Sequence, residues 1–95
     1  MSDSIHDCWR FEPGIFTITR NASVVLVPAD VQSSLARHLA GDWGIACKAD
    51  QLENEFSLDK PLRLFSVYED SNRRRFWIIT EADRSQTTIL LPEDY

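Results

Sequence analysis

The densest run of reactive side-chain types in this 95-residue chain is Glu81, Asp83, Arg84, Ser85, Thr87 and Thr88, directly behind the apolar Phe76-Trp77-Ile78-Ile79. A carboxylate, a guanidinium and a hydroxyl meeting at one corner could bind an anion or position a proton for acid/base work. The same residues have an architectural reading. Asp83 and Ser85 are turn formers, Arg84 can pair with a neighbouring carboxylate, and threonine favours strands. Turn chemistry explains the composition with fewer assumptions, so Glu81, Asp83, Arg84 and Ser85 stand as a candidate polar corner without an assigned catalytic role.

His38 is the other group that could move a proton. With Ser34, Asp42 and Cys47 nearby in sequence it suggests a nucleophile and base. That chemistry needs the base within hydrogen-bond reach of the nucleophile and donors for an oxyanion, and no G-x-S-x-G elbow or similar frame is present. A partly exposed helix histidine is expected instead. His6-Asp7-Cys8 supplies metal-ligand types, but no second pair follows at ligand spacing, so neither a metal nor another cofactor is expected. Arg73-Arg74-Arg75 lies beside Phe76 and Trp77, the mixture of charge and stacking faces used on single-stranded nucleic acid. Three charges on an acidic chain grip phosphate poorly, and a solvated loop is the simpler expectation.

Residues 42 to 59 carry Asp42, Asp50, Glu53, Glu55 and Asp59 against Lys48 alone, a local charge of five minus one, or -4. Such a patch can face a basic partner surface or simply be solvated. Trp43, between Asp42 and Gly44, is either a packing anchor whose indole N–H needs an acceptor or an exposed interface hot spot; burial is expected. Asp42, Trp43, Asp50, Glu53, Glu55 and Asp59 are the candidate protein-interaction residues.

The elements that must position these groups follow from periodicity. Ile15 to Arg20 alternates apolar and polar side chains after a Pro13-Gly14 turn, and Val24 to Val27 is a β-branched run, which together predict a hairpin through Arg20-Asn21-Ala22-Ser23. Val31, Leu35 and Leu39, with Ala36 and Ala40 beside them, predict a helix over about 30 to 40, with Asp30 as N-cap and Gly41 just past its end. Asp50 as cap, with Leu52 and Phe56 four apart, predicts a short helix over about 50 to 57. Strands over 62 to 69, 76 to 81 and 87 to 91, joined by short turns, predict an antiparallel meander. The expected fold is α+β: an antiparallel sheet of N-terminal hairpin plus C-terminal meander, with one main and one short helix on one face.

Composition sets the outer bounds. With 43% hydrophobic and 26% charged residues, the chain supports one domain over 1–95, with 1–7 frayed unless Ile5 docks. Ten basic against fifteen acidic residues give a net charge of -5, which disfavours direct nucleic-acid binding. No stretch approaches the roughly 18 apolar residues of a membrane helix. The opening residues carry acids where a signal peptide would be basic, so a cytoplasmic location is expected. Cys8 and Cys47 are expected to stay reduced.

His38-Leu39-Ala40-Gly41-Asp42-Trp43-Gly44, Arg63-Leu64-Phe65-Ser66-Val67-Tyr68, and Trp77 to Ser85 followed by Thr87-Thr88-Ile89-Leu90-Leu91-Pro92 and Tyr95 carry a resemblance. Over about residues 35 to 95 the chain resembles a family of small, uncharacterised plasmid-related proteins of bacterial mobile elements. The resemblance implies a mobile-element origin and supplies no catalytic residues. Small acidic proteins of such elements are often accessory factors, among them inhibitors of host defence such as anti-CRISPR proteins. The leading expectation is a protein-binding module whose partner is a protein, with a nucleic-acid-binding protein among the candidates. Two other readings are a small toxin ribonuclease related to RelE and ParE, loosely matched in element order, and a homo-oligomeric scaffold pairing through strand edges, a homodimer in its simplest form.

Overall fold

The computed structural model describes residues 9–95. The expectations for residues 1–7, for His6-Asp7-Cys8 and for the Cys8 thiol lie outside the described residues. The elements are β1 (Ile15–Ile18), α1 (Arg20–Val25), α2 (Pro28–Leu39), α3 (Lys48–Ser57), β2 (Leu64–Glu69), β3 (Arg75–Thr80), β4 (Gln86–Leu90) and a 3₁₀ turn (Pro92–Asp94). The fold is α+β, as the element pattern implies. β2, β3 and β4 form the expected antiparallel meander, with Leu64 opposite Thr80 and Ile78 opposite Ile89.

Among the described residues the N-terminal hairpin does not form. After β1 the Thr19 hydroxyl accepts the Ala22 N–H at 3.2 Å and starts α1, so residues 20–25 coil where a turn and a second strand were expected. The strand preference of Val24 and Val25 yields to burial: Ala22 and Leu26, four apart, enter the core against Ile78 and Ile89. Among the described residues β1 has no antiparallel partner, and it pairs in parallel with β4, Phe16 beside Thr87 and Ile18 beside Ile89. The sheet is therefore mixed, four-stranded and ordered β1-β4-β3-β2.

α2 starts at Pro28, whose fixed φ and missing N–H suit the first helical turn. Asp30 is thus inside the helix and not its cap; its carboxylate accepts the Ser71 N–H and hydroxyl at 2.8 and 2.6 Å, docking the β2–β3 turn. At the other end Gly41, with φ of 84°, takes the expected position past the helix. Its N–H reaches His38 O at 3.1 Å and the Asp42 N–H reaches Arg37 O at 2.8 Å, the paired bonds of a Schellman stop. α3 begins at Lys48, two residues ahead of the expected start, so Asp50 sits in its first turn and Cys47 at the cap position.

One sheet face, carrying Tyr68, Phe76, Ile78 and Ile89, is covered by α1 and α2 through Ala22, Leu26, Val31 and Leu35. A second cluster gathers Phe11, Leu39, Trp43, Ala46, Leu64 and Val67 near β2, with Leu35 packed against both. The C-terminus docks: Asp94 accepts from the Thr19 hydroxyl at 2.6 Å and from the Asn21 amide at 2.8 Å, and Tyr95 packs edge-on to Trp77.

Candidate protein interface

His38 is fully buried, which corrects the expectation of a partly exposed helix histidine. It shares the inward face of α2 with Ser34 and Leu35, and its ring meets Phe11 and Trp43 edge-on at 5.3 and 5.7 Å. Both nitrogens are engaged. The Thr87 hydroxyl donates to Pro13 O at 2.7 Å, and a carbonyl can only accept. Thr80 must then donate to Thr87 at 2.7 Å, His38 Nε2–H to Thr80 at 2.9 Å, and the Ser66 hydroxyl to the bare Nδ1 at 2.5 Å. That series fixes Nε2 as the nitrogen that carries the proton, and burial, which pushes the ring's pKa down to about 3, leaves Nδ1 bare and the imidazole neutral. A ring so enclosed organises a core and has no access to a substrate.

Trp43 is 4% exposed, so it is a packing anchor and not a surface hot spot. Its indole N–H donates to Glu55 Oε2 at 2.9 Å, and Glu55 also receives Arg10 at 3.1 Å. These hydrogen bonds hold the Glu55 carboxyl below its ordinary range. Gly44 follows at φ of 69°, in a bridge to Val67 where a Cβ would fall 2.0 Å from Val67 O; no other residue fits.

The polar corner is a joint. Asp83 accepts the Ser85 N–H at 3.0 Å, the local bond of a turn former. Arg84, at φ of 61°, pairs with no carboxylate among the described residues. Its guanidinium donates to the carbonyls of Leu62, Ser57 and Lys60 at 2.6, 2.7 and 3.0 Å, and also to Glu81 and Ala82, clamping the α3–β2 connection onto the β3–β4 turn. Its donors are spent on backbone. The basic run is a turn built by buried Asp70, whose carboxylate accepts the N–H groups of Asn72 and Arg74 at 2.9 Å, and Arg75 reaches Glu69 at 3.5 Å.

The acidic segment is only partly free. Asp42 is held by Arg37 at 2.8 Å, which lowers its pKa, and Asp59 by Lys60 at 3.0 Å. Asp50 and Glu53 are exposed and carry no side-chain hydrogen bond or ion pair among the described residues.

The feature that sequence reasoning missed is the orientation of α3. Leu52 and Phe56, the four-apart pair that predicts the helix, are 62% and 58% exposed, while Asn54 and Ser57 are buried. The inversion has a physical cause at the edge of β2. The Asn54 amide donates to Phe65 O at 2.6 Å and accepts the Phe65 N–H at 3.0 Å, replacing a neighbouring strand. Earlier in the chain, before α3 begins, Ile45 N–H donates to Val67 O at 2.8 Å. The edge is closed by polar groups, and the apolar pair is turned outward. The only hint in the sequence was an Asn lying between two acids on an otherwise amphipathic helix.

α3 stands between two depressions. A cleft of about 280 Å³ lies beside Leu52, bounded by Asp42, Trp43, Lys48 and Glu55. A groove of about 290 Å³ lies on the sheet face away from α1 and α2, floored by Phe65, Trp77 and Ile79 and bounded by Tyr95, Arg63 and Asp50. Glu53 and Asp59 lie one turn to either side of Phe56, and the Lys60 ammonium sits 4.2 Å from its ring. The result is an apolar ridge in a mainly acidic frame, brought together with Asp50, Glu53, Glu55 and Asp59 of the expected interface but without Trp43.

Among the described residues no group of three His, Cys, Asp or Glu side chains could hold a metal ion, and no helix is long and apolar enough to cross a membrane. No family model, curated protein or solved structure matches the chain.

Proposed function

We propose that this chain is a non-enzymatic protein-binding module, an acidic accessory protein of bacterial mobile elements acting in the cytoplasm. It docks the outer face of α3 on a partner that offers an apolar pocket in a basic frame. The exposed Leu52–Phe56 pair carries the reading. Side chains of this size each contribute about 1.5–3 kcal/mol when fully buried, and here that gain is left for a partner to realise. Asp50, Glu53 and Asp59 supply steering and select against acidic surfaces. Basic protein surfaces of this kind occur on nucleic-acid-binding effectors, including those of host defence, where an occupying acidic module acts as an inhibitor.

Affinity capture from a bacterial lysate, with wild type beside Leu52→Ser/Phe56→Ser and Asp50→Asn/Glu53→Gln, tests the reading. The expected result is one stoichiometric partner, lost with the first variant and bound more weakly, with reduced salt dependence, by the second. Circular-dichroism melts show that both variants stay folded. Folded wild-type protein that captures nothing, or a partner indifferent to both variants, overturns it. So does turnover of a substrate by purified protein.

A further inference from the structure

The two edges of the sheet are treated differently. β2 is closed by the Asn54 amide and the bridge at Gly44. β1 is uncovered by any of the described residues: the Ile15 and Thr19 N–H groups donate to Ser85 and Ile89 O at 3.0 Å, so by alternation residues 15, 17 and 19 face β4. The N–H and C=O groups of Phe16 and Ile18 face the other way and have no partner among the described residues. No charge, proline or bulge interrupts Ile15–Ile18, the devices that ordinarily blunt a free edge. Ile15, Phe16 and Ile18 are 70%, 45% and 42% exposed, and Ile18 borders a groove of about 270 Å³ between α1 and α2.

The flanks name the occupant. Glu12 precedes the strand and Arg20 follows it; both are exposed and neither has a side-chain partner among the described residues. They lie on either side of β1 and form no ion pair with each other. We infer that β1 pairs antiparallel with β1 of a second copy, forming a symmetric dimer with one continuous eight-stranded sheet, twice the four strands of one chain. Pairing about Thr17 sets Phe16 of each copy beside Ile18 of the other, where both N–H···O=C bonds of each pair form. It also brings the Glu12 end of each strand to the Arg20 end of its partner, so the charges complement twice. A parallel pairing would set acid against acid and base against base. The surface lies on the opposite sheet edge from α3, and the dimer stands whether or not α3 binds a partner.

Light scattering of the full chain from micromolar to submillimolar concentration is expected to give twice the chain mass. Glu12→Arg and Arg20→Glu each place like charges at both ends and raise the dimer Kd roughly tenfold, and the double reversal returns it toward wild type. Amide exchange gives an independent reading: Phe16 and Ile18 become protected only as the dimer forms, whereas Thr17 and Thr19 are protected throughout. A monomer at every concentration overturns the proposal, including one in which the Phe16 and Ile18 amides are protected by the chain itself. A dimer indifferent to the charge reversals, or one whose Phe16 and Ile18 amides exchange freely, also overturns it.

Discussion

His38 shows how burial converts a reactive residue type into a structural one. Its ring closes the Ser66–His38–Thr80–Thr87–Pro13 series of hydrogen bonds as a neutral donor and acceptor, and burial disfavours the charge that a second proton on Nδ1 would bring. The consequence is a pH dependence of stability. Unfolded, the histidine takes up a proton near pH 6.5; folded, it stays neutral down to about 3. Between those values the unfolded state binds the extra proton, so stability falls as pH drops, by about 1.4 kcal/mol per unit from this group, and is indifferent to it above. Urea unfolding at successive pH values is expected to show that slope in wild type and to lose it in His38→Gln. The slope below the histidine range but above the carboxylate range isolates the effect, because Asp30, Asp42 and Glu55, with lowered pKa values, lose their contribution only as pH falls through carboxylate values. The register of α2 sets residues 31, 34, 35, 38 and 39 on one helix face, yet His38 was expected to be partly exposed. What no local pattern carries is that two hydroxyls, Ser66 of β2 and Thr80 of β3, converge to satisfy it, with Thr87 of β4 behind Thr80.

α3 reverses the usual correspondence between apolar periodicity and burial. A helix beside a strand edge can meet that strand's unpaired N–H and C=O only with a polar side chain, and Asn54 does so with both ends of its amide. Leaving those groups unpaired costs more than exposing a leucine. Asn54→Leu, which extends the apolar pattern, is therefore expected to destabilise by about 2 kcal/mol, while Leu52→Ser/Phe56→Ser stays within about 1 kcal/mol of wild type. Chemical denaturation ranks the two. The reverse order would mean that Leu52 and Phe56 hold α3 in place and are not a docking ridge. α1 departs from its local signal for a related reason: Val24 and Val25 favour a strand, but β4 already has β1 on one side and β3 on the other, so residues 20–25 serve the core better as a helical plug.

At the scale of the molecule, the parallel pairing of β1 with β4 joins the first described strand to the last, and Asp94 seals the joint. It ties the 3₁₀ turn to the start of α1 through Thr19 and Asn21 and accepts the Leu91 N–H at 3.1 Å. Asp94→Ala is expected to lower Tm and to speed amide exchange in β1 and α1 before β2 and β3, because the seam opens while the meander keeps its own hairpins. Uniform acceleration across the sheet would show that the seam and the meander unfold as one unit. The same arrangement places one open edge at β1 and one docking ridge at α3, at opposite ends of the strand order. The molecule thus separates the surface that would pair it with itself from the surface that would bind a partner.

The sequence by itself determined the α+β class, the C-terminal meander, the course of α2 and its stop at Gly41, the acidic frame around α3 and the burial of Trp43. Each rests on short-range periodicity, turn chemistry or composition, which act within a few residues. The tertiary structure decided the parallel β1–β4 pair, the helix where a second strand was expected, the outward turn of Leu52 and Phe56, and the engagement of His38 and Arg84 with hydroxyls and carbonyls far along the chain. These depend on which backbone groups remain unpaired once the sheet has formed, a condition set by partners tens of residues apart that no local pattern encodes.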